Sequence, residues 1–400
     1  MKRTIYLEKR PWSEALELFL DTFRDMYPLQ GEEVLVEQAL DRIVTSDVTA
    51  RISSPHYDGS AMDGVAVRSE DTIGADLSTP KQLKVGTETH FVDTGSPLPQ
   101  GFDAVIQIED VHEIDDETIE IYSPVAPWHY VRRIGEDVKE GDLLLRQNSR
   151  IGPYDIATLL AGGETTVTVR SKPKFGVLPT GSELVEPGSA LKPGDIIEFN
   201  SRMVKALITQ WSGTCQRYAI VPDEFETVET SVKKILEDND AAIIIAGSSA
   251  GRRDFTPQVV EELGDIIVHG VNVMPGKPVV LGRIENKPVI GLPGYPVSAA
   301  VIMDLFIKPL VCTMLGTPII ERRKIQASLT QKIYSKLGME EFVRVTIKKD
   351  KEKVIATPLT RGAGVISSLA KADGILRIPD NMEGLEAGSE VEVELLKEIW

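Results

Sequence analysis

A chain of 400 residues exceeds what one hydrophobic core usually organises, since single cores seldom grow past about 250–300 residues, so two to four domains are expected. Its hydrophobic content of 42% and charged content of 26% are ordinary for a globular chain, while a net charge of −17 disfavours nucleic acid and anionic lipid as partners. Cys215 and Cys312 lie far apart without CxxC spacing, which argues against a disulfide framework or a zinc knuckle.

The first twenty residues hold Lys2, Arg3, Glu8, Lys9, Arg10, Glu14 and Glu17, leaving no apolar stretch for a signal peptide, and no run approaches the roughly 18 apolar residues of a membrane span. A cytoplasmic protein without a membrane partner is expected. Residues 12–27 space Ala15, Leu16, Phe19 and Phe23 on a helix face, with Ser13 placed to cap it. Val36, Ala39, Leu40 and Ile43 follow at helical spacing. The loop His56–Gly64 then combines small residues with Asp58 and Asp63 before alternating Val65 and Val67, a turn into a strand. Short alternating segments broken by turns from about 65 to 145 imply a small β-rich domain, and residues 153–162 a short helix with proline in its first turn.

From Pro173 strands alternate with helical stretches of ten or more residues, the pattern of βαβ units in a mostly parallel, doubly wound sheet. Glu285–Asn286–Lys287 implies a hairpin inserted near the sheet edge. From Lys324 strands return with little helix, a C-terminal β domain. The chain is organised around residues 243–298: an apolar strand, the loop Gly247–Ser248–Ser249–Ala250–Gly251, a helix start at Asp254, and two Pro-Gly turns. Such a strand end can face an anion with backbone N–H groups and a helix N-terminus. Thr180–Gly181–Ser182–Glu183 follows its own strand in the same way, so two strand ends could share a crevice.

Neither loop fits GxxxxGK[ST] or GxGxxG, and HExxH and GxSxG are absent. Dehydrogenase, zincin and serine-hydrolase readings fall away. Asp63, Asp137, Glu183, Asp223 and Asp254 each sit in a turn or just after a strand, where side chains can converge; singly, each reads equally as a cap or a solvated turn residue.

Several segments together resemble the MoeA family of molybdopterin molybdenumtransferases, which includes the E domain of gephyrin. They are Ser60–Gly64, Thr94–Pro99, Gly135–Val138, Thr180–Leu184, Pro275–Gly276–Lys277–Pro278, Gly291–Gly294 with Pro296–Ser298, Ser367–Ala370 and Gly374–Leu376, in the family's order along nearly the whole chain. The resemblance implies a MogA-like α/β domain over 171–320, an N-terminal helical and linker domain over 1–50 with 140–170, a β-rich domain over 51–139 and a C-terminal β domain over 321–400. It also implies a homodimer with a shared site, and insertion of molybdate into adenylylated molybdopterin with release of AMP, supported by Mg²⁺. By motif, Asp63, Asp137, Glu183, Asp223 and Asp254 would be the catalytic acidic residues, with Asp63 and Glu183 on the metal. Ser60, Thr94, Gly247, Ser248, Ser249, Gly251, Lys277, Pro293 and Pro296 would meet the substrate, and Arg344 and Ser368 would lie near the oxyanion.

The chain departs from the family pattern in its glycine loop, in Tyr295 where the family's P-G-N-P has asparagine, and in Met274 where a lysine commonly precedes P-G-K-P. Arg252 and Arg253 add two cations just after the glycine loop, and one of them is expected to replace that lysine. A cofactor carrier or scaffold paralogue, and an unrelated α/β nucleotide-binding enzyme, are the competing readings.

Overall fold

The structure, a computed structural model, describes residues 10–246, 255–319, 321–351 and 353–398. The chain divides into two compact units, one of residues 31–170 and one of residues 1–30 with 171–400.

The second of these opens with α1 (Trp12–Asp21), where Pro11 rather than Ser13 occupies the N-cap and no side chain caps the helix. It is shorter than the sequence implied. Ala15 and Phe19 are buried, and Phe23, past the helix end, packs edge-on against Phe19 with ring centroids 5.4 Å apart.

The unit of residues 31–170 contains β1 (Gly31–Leu35), β2 (Gly64–Val67), β3 (Thr89–Val92), β4 (Ala104–Gln107), α2 (Pro153–Ala161) and β5 (Thr166–Arg170). The helix expected around Val36–Ile43 is not formed. Val36–Gln38 is one 3₁₀ turn following β1, and Asp41 adopts a left-handed φ of 62° that no helix interior accepts. Val36 and Ala39 are nevertheless buried, in a core shared with Leu159 of α2 and Val167 and Val169 of β5. β2 lies between β3 and β4, antiparallel to both. All four of its residues are buried, Val65 and Val67 in one core and Ala66 in another, as a strand covered on both faces requires.

Gly64 starts this strand where the next backbone is closest. A Cβ there would stand 2.0 Å from the Ile106 carbonyl oxygen. Gly64→Ala is expected to cost about 1–3 kcal/mol by overpacking, read as a lower urea midpoint; an unchanged midpoint would show that the strands can part freely.

The α/β part of the other unit runs β6 (Lys174–Pro179), α3 (Asn200–Gln210), β7 (Thr214–Arg217), α4 (Phe225–Asp238), β8 (Ala241–Ala246), α5 (Thr256–Leu263), β9 (Asp265–His269), β10 (Val280–Ile284), β11 (Lys287–Pro293) and α6 (Pro296–Leu315). Its six-stranded sheet has the order β7-β6-β8-β11-β10-β9. The first four strands are parallel, while β10 and β9 run antiparallel to their neighbours. All residues of β8 are buried, as expected of a central parallel strand covered by helices. The β10–β11 hairpin turns at Glu285 and Asn286, both left-handed, the conformation that matches strand twist.

After β6 the chain crosses to β7 on one side, and after β7 it crosses back to β8 on the other. The carboxyl ends of β6 and β8 therefore flank a topological switch point, where open α/β sheets bind ligands. By length and composition α6 is apolar enough to cross a membrane, contrary to the sequence expectation, yet 72% of its apolar window is buried inside the unit. It is a core helix, with one π turn over Met303–Ile307.

The C-terminal part holds β12 (Lys324–Leu329), β13 (Glu340–Asp350), β14 (Lys353–Pro358), α7 (Ile366–Lys371), β15 (Gly374–Ile378) and β16 (Glu390–Leu395). The order β13-β14-β12-β16-β15 closes because β15 also pairs with β13. A small barrel results, filled by Leu329, Val343, Val345, Ala356, Leu376 and Val393.

Candidate active site

Two strand ends fold into one cleft at the switch point. After β6, the Thr180 N–H donates to the Ile245 carbonyl at 2.9 Å and the Gly181 N–H to the Val221 carbonyl at 3.0 Å. Gly181 has a φ of +153°, and a Cβ there would lie 2.8 Å from Leu184 Cγ. This turn sets Glu183, half-buried, at the mouth. Because Thr180 also bridges to Val221, the turn bearing Asp223 lies beside the turn bearing Glu183. The cleft, of about 290 Å³, is lined by Thr180, Glu183, Glu198, Phe199, Asn200, Ala246, Tyr295 and Pro296 among others.

Pro293 ends β11 opposite Ala246, and Pro296 begins α6, where a missing N–H costs nothing. Asn200 Nδ2 donates to the Gly294 carbonyl at 2.7 Å, tying the start of α3 to the turn before α6. Glu198 is buried and fully engaged: it accepts from the Ser201 N–H at 2.7 Å, the Ser201 hydroxyl at 2.6 Å and Arg202 at 2.8 Å. Arg202 and Arg217 each reach Glu186 at 2.5 Å and hold its carboxyl below the usual range. This network fixes the segment that returns to the cleft. The sequence reading missed Glu198, Phe199 and Asn200; the usable signal was a carboxylate three residues ahead of a serine at a helix start.

Lys277 sits half-buried in the turn after Met274, its carbonyl accepting from Val271 N–H at 3.0 Å. Gly276 has a φ of 129°, which favours glycine, and a Cβ there would fit tightly, 3.1–3.2 Å from Ile302 and Val273. Arg344 is 2% exposed and spent on neighbours: Nε donates to Ser368 Oγ at 3.1 Å, and a terminal nitrogen to the carbonyls of Thr360 at 2.7 Å and Gly362 at 3.2 Å. Burial holds its pKa below the ordinary arginine value. Arg344 and Ser368 thus fasten the loop after β14, whose Ala363 carbonyl accepts from the Val297 N–H at 3.0 Å in the first turn of α6.

In the unit of residues 31–170, Asp63 and Thr94 are brought together. Asp63 Oδ1 accepts from the Thr94 N–H at 2.6 Å and the Thr94 hydroxyl at 2.7 Å, which holds its pKa below the usual carboxylate value. The Ser60 hydroxyl donates within its own turn, to the Met62 carbonyl at 2.5 Å, and the Ser60 N–H reaches the Ser96 carbonyl at 2.9 Å. Asp137 is exposed in a turn whose backbone N–H donates to Ser54 at 3.1 Å. Glu183 and Asp223 belong to the other unit. Gly247, Ser248, Ser249, Gly251, Arg252, Arg253 and Asp254 lie outside the described residues. Among the described residues no group of three His, Cys, Asp or Glu side chains is placed to hold a metal ion.

Known proteins fit this arrangement. Residues 10–163 match the MoeA N-terminal region (domains I and II), residues 176–313 a probable molybdopterin binding domain, and residues 326–396 the MoeA C-terminal region (domain IV). A Methanocaldococcus jannaschii protein named for molybdopterin biosynthesis is 40% identical over 96% of either chain. The molybdopterin molybdenumtransferase of Haemophilus influenzae is 30% identical over 92% of this chain and 94% of its own. The crystal structure of the molybdopterin biosynthesis MoeA protein from Pyrococcus horikoshii superposes with a TM-score of 0.82 at 35% identity, covering 98% of this chain and 100% of that one. With all three regions matched in order and the fold shared end to end, the chain belongs to the MoeA family.

Proposed function

We propose that the chain is a molybdopterin molybdenumtransferase of the cytoplasm, taking adenylylated molybdopterin, inserting molybdate at the dithiolene and releasing AMP. The observation that carries this reading is the switch-point cleft, with Glu183 at its mouth and the Asp223 turn beside the Glu183 turn, in a chain of this family. Oriented carboxylates and backbone dipoles act here by positioning and electrostatics, so no protein nucleophile is required.

Lys277 supplies a local cation in a chain of net charge −17. Among the described residues no hydrogen bond or ion pair occupies its ammonium group, which leaves it free for a phosphate. The donor chemistry suits Mg²⁺, a hard cation that takes one or two carboxylates and completes its shell with water and phosphate oxygens, so a three-carboxylate cluster is not needed. Asp63, kept ionised by Thr94, would be one such carboxylate. When bound, the ion would neutralise charge on the phosphoanhydride.

The test supplies the purified chain with adenylylated molybdopterin, molybdate and Mg²⁺ and follows AMP release and cofactor formation. Pterin binding without AMP release would sink the transferase reading in favour of a carrier. The oligomer we propose is a homodimer. Equimolar mixing of Asp63→Asn and Glu183→Gln chains, each strongly impaired alone, should restore part of the activity; a fully active monomer at assay concentration would rule the dimer out.

A further inference from the structure

The cleft carries an aromatic rim that the transferase reading leaves unused. Phe199 precedes α3 and is 37% exposed; Tyr295 precedes α6 and is 63% exposed. Both line the cleft. They are not loose surface rings, because the Asn200–Gly294 hydrogen bond joins the residues next to them at 2.7 Å. Tyr295 is also backed by Gly364, where an added Cβ would come within 3.6 Å of its ring. Two large rings are thus held in rigid backbone at the mouth of a binding cleft and left uncovered.

The charge of the lining decides what they meet. Among the described residues the lining holds two carboxylates, Glu183 and the fully engaged Glu198, and no lysine or arginine. The remaining wall is apolar, with Leu184, Ile196 and Ile245. A volume of about 290 Å³ falls at the lower edge of ligand pockets, about 300–1,000 Å³, which suits one part of a nucleotide-pterin rather than all of it. Aromatic faces prefer offset or edge contact with another flat ring.

We infer that Tyr295, with Phe199, receives the fused bicyclic ring of the substrate, purine or pterin, by stacking. The inference deepens the transferase reading and takes the ligand's identity from it.

The test titrates the full chain with AMP, with neopterin and with CMP as a monocyclic control. At least one bicyclic probe should bind more tightly than CMP, and which one binds separates purine from pterin. Tyr295→Ala should weaken that probe about tenfold, the scale of one aromatic contact, with a smaller loss in Phe199→Ala. Tyr295→Phe should bind like the parent, and melting temperatures should not change because both side chains are exposed. The inference is overturned if neither bicyclic probe binds, if Tyr295→Ala binds like the parent, or if Tyr295→Phe is as weak as Tyr295→Ala. Should the probes behave as expected while adenylylated molybdopterin releases no AMP, the stacking site stands and the transferase reading falls.

Discussion

Asp63→Asn should fold with only a small loss of melting temperature yet release AMP about 10²–10³-fold more slowly, the usual cost of removing one electrostatic group from a site. The geometry explains why the two readouts separate. Asp63 Oδ1 takes both Thr94 donors, and an asparagine Oδ1 can accept the same two bonds. What changes is the other oxygen, which becomes a neutral donor unable to bind a cation. Normal turnover in the purified variant would remove Asp63 from the mechanism.

The pH dependence has a definite sign. Because the Thr94 bonds lower the folded pKa of Asp63 below the ordinary carboxylate value, the carboxylate stabilises the fold fully above that ordinary value and loses the contribution as pH falls through the folded pKa. Asp63 is therefore ionised throughout the neutral range. The acidic limb of the pH–rate profile should belong to another group, and Thr94→Val, which raises the Asp63 pKa towards 3.8, should leave the rate near pH 7 almost unchanged.

How much of this was legible depended on whether a feature is local. The run Ala241–Ala246 reads as a buried parallel strand because both faces are covered and every side chain is apolar. The hairpin at Glu285–Asn286 was equally plain, since its turn chemistry is contained in two residues. Val36, Ala39 and Ile43 misled because their spacing fits a helix face, yet all three are buried by a strand end, a 3₁₀ turn and the chain that follows. Leu40, 49% exposed, was the residue that did not belong on that face.

Closure of the C-terminal barrel was not legible, because it rests on pairing between β13 and β15, and short alternating strands leave register open. The site divides in the same way. Turns rich in Gly, Ser and Thr could be seen, but the Asp63–Thr94 bond joins residues 31 apart and no spacing rule foretells it. The resemblance supplied those positions, and the fold then showed which of them touch. The long-range part of the Glu198 network was invisible for the same reason: Glu186 and Arg217 are 31 positions apart and meet only after the chain has passed through α3 and β7.

Arg344→Met should destabilise the unit that holds the barrel by about 1–3 kcal/mol, the cost of leaving buried polar groups without their donor. Arg344 is the largest side chain buried to this degree, and its guanidinium satisfies Ser368 and the carbonyls of Thr360 and Gly362. Methionine fills much of the volume but donates nothing, so two carbonyls and a hydroxyl lose a charged partner. Arg344→Lys should fall between the two, since one ammonium keeps the charge but cannot reproduce a planar fork. The loss should reach the cleft as well. The loop that Arg344 fastens carries the Ala363 carbonyl bonded to Val297 N–H and the Gly364 that backs Tyr295. Weakened ring binding should therefore accompany the lower urea midpoint, in the order Lys then Met. A Met variant as stable as the parent would show that the loop is held by something other than Arg344.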